Sequence, residues 1–279
     1  MAKLDGKVAL ITGAAAGLGE GIASAYAKYG AKMILVDLSP AVEETAEKLR
    51  REYGAEVITA VANVADRAQM DAAAAKAVEA FGAIHIACCN AGVCRLAPFE
   101  EMDDATRDFH IDVNIKGVWN TCKAVIPYML KQGGGSIVIA SSVTGDIVAD
   151  AGEAAYAMTK AALVGLTKCL AVEYAGRNIR VNCSQLGYAR RKDGDGIQSG
   201  KSGGSYCRYC GRGTDGPSCK AHRSGRAVCI SGKRRVQLSD RLSDCDRRRQ
   251  YFAGNHVHWN QLSGSIDGMF EAETSAQRR

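Results

Sequence analysis

Val8-Ala-Leu-Ile-Thr12-Gly13-Ala-Ala-Ala16-Gly17-Leu18-Gly19 joins a β-rich apolar run to a glycine turn, and a helical pattern follows over residues 20–29. A strand, a glycine turn and a helix in that order form a site for a dinucleotide phosphate. Glycine lets the backbone approach the pyrophosphate, while the helix N-terminus supplies free N–H groups and positive potential. A glycine motif alone is weak evidence, but its surroundings here strengthen it. Lys32-Met-Ile-Leu-Val36 reads as a second strand ending in Asp37, 18 residues after Gly19. An acidic side chain there accepts hydrogen bonds from the adenosine ribose hydroxyls and repels a 2′-phosphate. Ala16 and Leu38 bring no positive charge to that phosphate, so NAD(H) is expected rather than NADP(H). Asp37 has a second reading, as the N-cap of a helix opening at Ser39-Pro40.

The alternation continues outward. Residues 40–53, 67–81, 104–131 and 154–174 read as helices; 56–62, 84–89 and 136–140 read as strands, and another strand starts at 179–182. Alternating strands and helices predict an α/β fold: a Rossmann-type, doubly wound parallel sheet with helices on both faces. Ligands of such sheets bind beyond the carboxyl ends of the strands, which here carry Gly13, Asp37, Asn63, Asn90 and Ser142.

A second stretch, Ser141 to Lys160, places the Ser142 hydroxyl at a strand end and then Tyr156 and Lys160 four residues apart. On a helix both side chains share one face. A lysine beside a tyrosine favours the phenolate, and the pair is expected to act as a general acid or base near neutrality.

Taken as a set, Thr12-Gly13-x-x-x-Gly17-x-Gly19, Asn90-Ala91-Gly92, Asn114, Ser142 and Tyr156-x-x-x-Lys160 resemble the short-chain dehydrogenase/reductases. The runs from Asn90, from Asp108 to Asn120 and from Ser141 to Asp146 look like the bacterial UcpA-type oxidoreductases within that family. The resemblance covers residues 1–182. It implies hydride transfer between NAD(H) and a small-molecule alcohol or carbonyl substrate. Tyr156 is then the acid/base, and Lys160 lowers its pKa and holds the nicotinamide ribose. Ser142 orients the substrate carbonyl, and Asn114 supports a proton-relay water. Gly13, Ala16, Gly17, Leu18, Gly19, Asp37, Leu38, Asn63, Val64, Asn90, Ala91 and Gly92, with Tyr156 and Lys160, line the cofactor. A homo-oligomer through the helices starting near Asp104 and Ala154 is also implied. Two positions depart from the family: Asn63 replaces an aspartate that contacts adenine, its amide oxygen remaining an acceptor, and Cys89 replaces an asparagine, which is expected to loosen the sheet. His85 and His110 read as packing residues.

Composition divides the 279 residues in two. Residues 1–182 carry 18 Lys+Arg against 21 Asp+Glu, whereas 183–279 carry 18 against 9 and are rich in glycine, serine and arginine. The expected organisation is a catalytic domain over 1–186 and a basic tail of low order over 187–279. The apolar run Val8 to Thr12 is too short for a signal peptide or a span and no other segment comes close, so a soluble, cytoplasmic protein without membrane contact is expected. Cys88, Cys89, Cys94, Cys122 and Cys169 lie in apolar or helical contexts that suit reduced core cysteines.

The family's expected ending, a substrate loop, a last helix and a strand closing in Asp-Gly-Gly, is missing from the tail. Read as codons shifted by one base, residues 229–252 permit a run that includes Ile-Val-Ile-Asp-Gly-Gly-Ser-Thr-Leu, and residues 262–263 permit a stop. The tail therefore reads as out-of-frame translation beginning between about Asn182 and Arg191, which would leave an impaired or inactive product. A zinc-stapled tail at Cys207-x2-Cys210-x8-Cys219-x2-His222 is a competing reading. The basic runs predict no specific nucleic-acid recognition.

Overall fold

The computed structural model describes residues 3–186. Six strands, β1 (Val8–Thr12), β2 (Lys32–Asp37), β3 (Val57–Val61), β4 (Ile86–Cys89), β5 (Gly135–Ser142) and β6 (Ile179–Leu186), form one sheet in the order β3-β2-β1-β4-β5-β6. Every pairing is parallel. The order reverses between β1 and β4, which opens a crevice beyond their carboxyl ends.

Alternate side chains of the central strands enter opposite cores, as the two-residue period of a strand requires. Leu10, Ile34 and Val36 pack under α3 (Arg67–Phe81) and α5 (Gly117–Lys131), while Ala9, Ile11, Met33 and Leu35 pack under α1 (Gly17–Lys28) and α2 (Val42–Tyr53). Burial on both faces explains why these strands are continuous apolar runs rather than alternating ones. On β6 only Ile179 and Val181 are buried, and Arg180 and Asn182 are exposed. The described chain thus covers that end of the sheet on one face, with α6 (Ala154–Tyr174).

The single helix predicted over 104–131 is three pieces: α4 (Asp104–His110), a π-turn over Ile111–Lys116, and α5. The sequence carries no breaker at that point, and the wider turn instead accommodates Asn114, which is fully buried. Residues Ala154–Arg177 are long and apolar enough to cross a membrane. The sequence reading passed over them because small residues, rather than an uninterrupted aliphatic run, make this stretch apolar. Here they pack against β5 and β6.

Cysteine burial is also uneven. Cys88, Cys89 and Cys122 are buried as expected, but Cys94 and Cys169 are exposed. Cys89 does not loosen the sheet. It stays in register opposite Ile139, with its Sγ 4.0 Å from Cys122 Sγ in the core. The tail readings, from the missing helix and strand to the zinc quartet, lie outside the described residues.

Candidate active site

At the switch point, two turns are tied together by side chains. The Thr12 hydroxyl accepts from the backbone N–H groups of Asn90 (3.0 Å) and Ala91 (3.1 Å), and Asn90 Nδ2 donates to the carbonyls of Thr12 and Gly13. This closeness explains two glycines. A Cβ on Gly13, which has φ +66°, would stand 2.8 Å from Ala91 Cα, and one on Gly19 would overlap the Gly13 carbonyl oxygen. Gly17 faces open space and is required instead by its left-handed backbone, φ +61°. Ala16 precedes α1 in an extended conformation and provides no side-chain cap, so no side chain competes for the helix's N-terminal N–H groups. This cradle fits a dinucleotide pyrophosphate.

Asp37 braces the same region. Its Oδ2 accepts from Ala15 N and its Oδ1 from Ser39 N, both at 2.9 Å. It does not cap α2, whose N-cap position is Ala41. Leu38 is 69% exposed and Leu18 43%, which leaves apolar surface beside Asp37 that suits an adenine ring. The Asn63 amide oxygen accepts from Ala65 N at 2.9 Å, which closes a turn and leaves it one acceptor position. Val64 is buried against Gly117, where a Cβ would strike its side chain, and Asn120 Nδ2 donates to the carbonyls of Val64 and Ala65. Asn120 was not singled out in the sequence.

Gly92 connects the two halves of the site. A Cβ there would lie 3.3 Å from both Asn114 Oδ1 and Lys160 Nζ. Both ends of the Asn114 amide are bonded: Oδ1 accepts from Val93 N (2.8 Å), and Nδ2 donates to Val93 O and Thr159 Oγ1 (3.0 Å each). Its side chain is therefore a brace between the Asn90 loop and α6.

Ser141 Oγ donates to Lys160 O at 2.8 Å, fixing α6 to β5. Lys160 is buried and its Nζ donates to Ala140 O at 2.8 Å, 5.5 Å from the centre of the Tyr156 ring. Ser142 Oγ accepts from Thr144 N (3.1 Å), donates to Leu186 O (3.4 Å) and reaches the Tyr156 phenol.

Burial dominates the electrostatics of the pair. Burial pushes the Tyr156 phenol above its ordinary value; the Ser142 hydroxyl pulls it down, and nearby Cys94 and Glu153 push it up. The Lys160 ammonium, turned toward Ala140 O, is itself pushed down to about 8 by burial. Cys94 is exposed as a residue, yet partial desolvation of its sulfur raises the thiol to about 11, with Glu153 adding to the rise and Lys160 opposing it. His85 and His110 are structural, as predicted. His85 Nδ1 accepts from Val8 N, and His110 bonds Arg95 N and Thr106 O. Among the described residues no cluster of His, Cys, Asp and Glu could hold a metal ion.

The short chain dehydrogenase family model matches residues 7–194. Oxidoreductase UcpA of Escherichia coli K12 is 57% identical over 190 residues, covering 68% of this chain and 72% of that protein. The 3-oxoacyl-[acyl-carrier-protein] reductase FabG of Thermotoga maritima is 42% identical over 186 residues, 67% of this chain and 75% of that protein. The crystal structure of carveol dehydrogenase from Mycobacterium avium in complex with NAD superposes with a TM-score of 0.64 at 34% identity, covering 66% of this chain and 72% of that one.

Proposed function

The chain belongs to the short-chain dehydrogenase/reductase family of oxidoreductases, and from that premise we propose that it moves hydride between NAD(H) and a small alcohol or carbonyl substrate, with Tyr156 as the acid/base. The observation that carries this reading is the convergence of Asn114, Ser142, Tyr156 and Lys160 on Gly92 and the carboxyl end of β5, next to the glycine cradle. When bound, the nicotinamide accepts or supplies the hydride.

The chain's own residues supply the rest. Ser142 Oγ turns its one O–H from Leu186 O to the substrate oxygen, and the Tyr156 phenol gives its proton to that oxygen in reduction or takes it back in oxidation. An alcohol thus loses a hydride from carbon and a proton from oxygen to become a carbonyl, and the reverse restores both. Lys160 Nζ spends one of its three N–H donors on Ala140 O and offers the others to the nicotinamide ribose. Gly13, Ala16, Gly17, Leu18 and Gly19 hold the pyrophosphate, Asp37 and Leu38 the adenosine, Asn63 and Val64 the adenine edge, and Asn90, Ala91 and Gly92 the ribose side.

Asp37 supports NAD(H) over NADP(H), since its carboxylate is fixed by two backbone N–H groups where a 2′-phosphate would arrive. Fluorescence titration with NADH and NADPH tests the cofactor half, and a tenfold or greater preference for NADH, about 1.4 kcal/mol, is expected. Equal affinity would refute it. Ketone reduction above that of a Tyr156→Phe control tests the chemical half. Residues 187–279 we read as out-of-frame sequence, supported by a family-model match that stops at residue 194. Sequencing the gene across codons 180–195 decides it.

A further inference from the structure

Glu153 stands between Ser142 and Tyr156 in the chain, at the N-cap position of α6 and three residues before the phenol. That spacing sets both side chains on one face of the helix start. The residue is 6% exposed. Its carboxyl reaches Thr144, yet Oε2 is shielded from solvent and has no hydrogen-bond partner among the described residues. Buried polar atoms almost always have a partner, so an orphaned carboxyl oxygen beside a reacting group calls for one from outside the described residues. The side chain is near enough to the Tyr156 phenol and the Cys94 thiol for its charge to raise both. Ala97 N donates to Gly152 O at 3.1 Å and ties the loop after Cys94 to the residue before Glu153.

We infer that Glu153 Oε2 accepts a hydrogen bond from a second hydroxyl of the substrate, on the carbon next to the reacting one, so that the site selects vicinal diols and α-hydroxyketones. This rests on the alcohol and carbonyl reading above. Ser142 and Tyr156 fix the reacting oxygen, and Glu153, one helical turn earlier on the same face, meets the neighbouring substituent. A hydroxyl gives the carboxyl its missing donor without bringing a second charge into the site, whereas an apolar substituent leaves Oε2 orphaned. A substrate carboxylate there is repelled.

The test uses the full chain and two variants, Glu153→Gln and Glu153→Leu. Affinities for 3-hydroxybutan-2-one and butan-2-one are compared by saturation-transfer NMR in the presence of NADH. The wild type is expected to prefer the hydroxyketone by about fivefold, the worth of one hydrogen bond. Glu153→Gln, whose amide oxygen still accepts, keeps most of that preference, and Glu153→Leu brings the ratio near one. The kcat/KM ratio of butane-2,3-diol to butan-2-ol moves in parallel. A wild-type ratio near one, or a ratio unchanged in Glu153→Leu, overturns the inference whether or not every variant folds. NADH binding is read separately by fluorescence. Bound NADH without hydroxyketone preference sinks the Glu153 assignment alone, while absent NADH binding sinks the functional reading.

Discussion

Replacing Lys160 with methionine is expected to stabilise the fold at neutral pH while removing activity. The ammonium is buried, and burial pushes its pKa from 10.5 to about 8. The unfolded chain therefore binds this proton more tightly than the folded one, and the cost to the fold is complete below the folded value. The shift of about 2.5 units corresponds to about 3 kcal/mol at pH 7. Between the folded and unfolded values the folded chain gives up its proton first, so the cost shrinks to about 2 kcal/mol at pH 9 and nearly vanishes by pH 10.5. Methionine fills a similar volume but loses the 2.8 Å bond to Ala140 O, which offsets about 1 kcal/mol of the gain. Lys160→Met should thus be more stable than the wild type by about 2 kcal/mol at pH 7, by about 1 at pH 9, and no more stable near pH 10.5. Urea denaturation followed by far-UV circular dichroism at several pH values measures the difference. A difference independent of pH, or a variant less stable at pH 7, would refute the argument that the site holds a desolvated charge at the fold's expense.

Other perturbations follow from the same geometry. Tyr156→Phe removes the proton donor and keeps the ring, so turnover should fall by about 10²–10⁴ while NADH affinity and Tm stay near wild type. Because burial raises the Tyr156 phenol, alcohol oxidation should keep rising beyond about pH 10, the ordinary tyrosine value; a plateau near neutrality would show a lysine-lowered phenol instead. Gly19→Ala should cost about 1–3 kcal/mol and weaken NADH binding, since the new Cβ overlaps the Gly13 carbonyl oxygen. Gly21→Ala, in the same helix with nothing within 4 Å, should stabilise by about 0.5–1 kcal/mol, and thermal melts of the two variants compare them directly.

Much of the site was legible because its parts are local. Strand runs such as residues 8–11 and 33–36 are apolar at every position, and Asp37, Asn90 and Ser142 fall at or just beyond strand ends, where parallel topology gathers them. Tyr156 and Lys160 are neighbours through helical geometry alone. The residues that escaped notice work through distant contacts: Thr159 holds Asn114 across 45 positions, and Asn120 holds Val64 across 56. The π-turn was missed because its cause is the buried amide of Asn114 gripping Val93, and periodicity does not record such a contact.

Alternation of strand and helix, the glycine turn and the order of the polar residues were enough to determine the fold class, the family and the end of the sheet where chemistry is placed. Those features depend on backbone geometry and on short spacing along the chain. Tertiary structure alone decided how the groups are charged and oriented. Sequence proximity put a cation beside Tyr156, but the fold turns that ammonium to Ala140 O and buries both groups, so desolvation is the largest cause of the shift in each. Burial likewise makes Glu153, an unremarked carboxylate in the sequence, an orphaned oxygen next to the reacting phenol. Desolvation depends on everything packed around a group, and for that reason it is decided by the fold rather than by the order of residues.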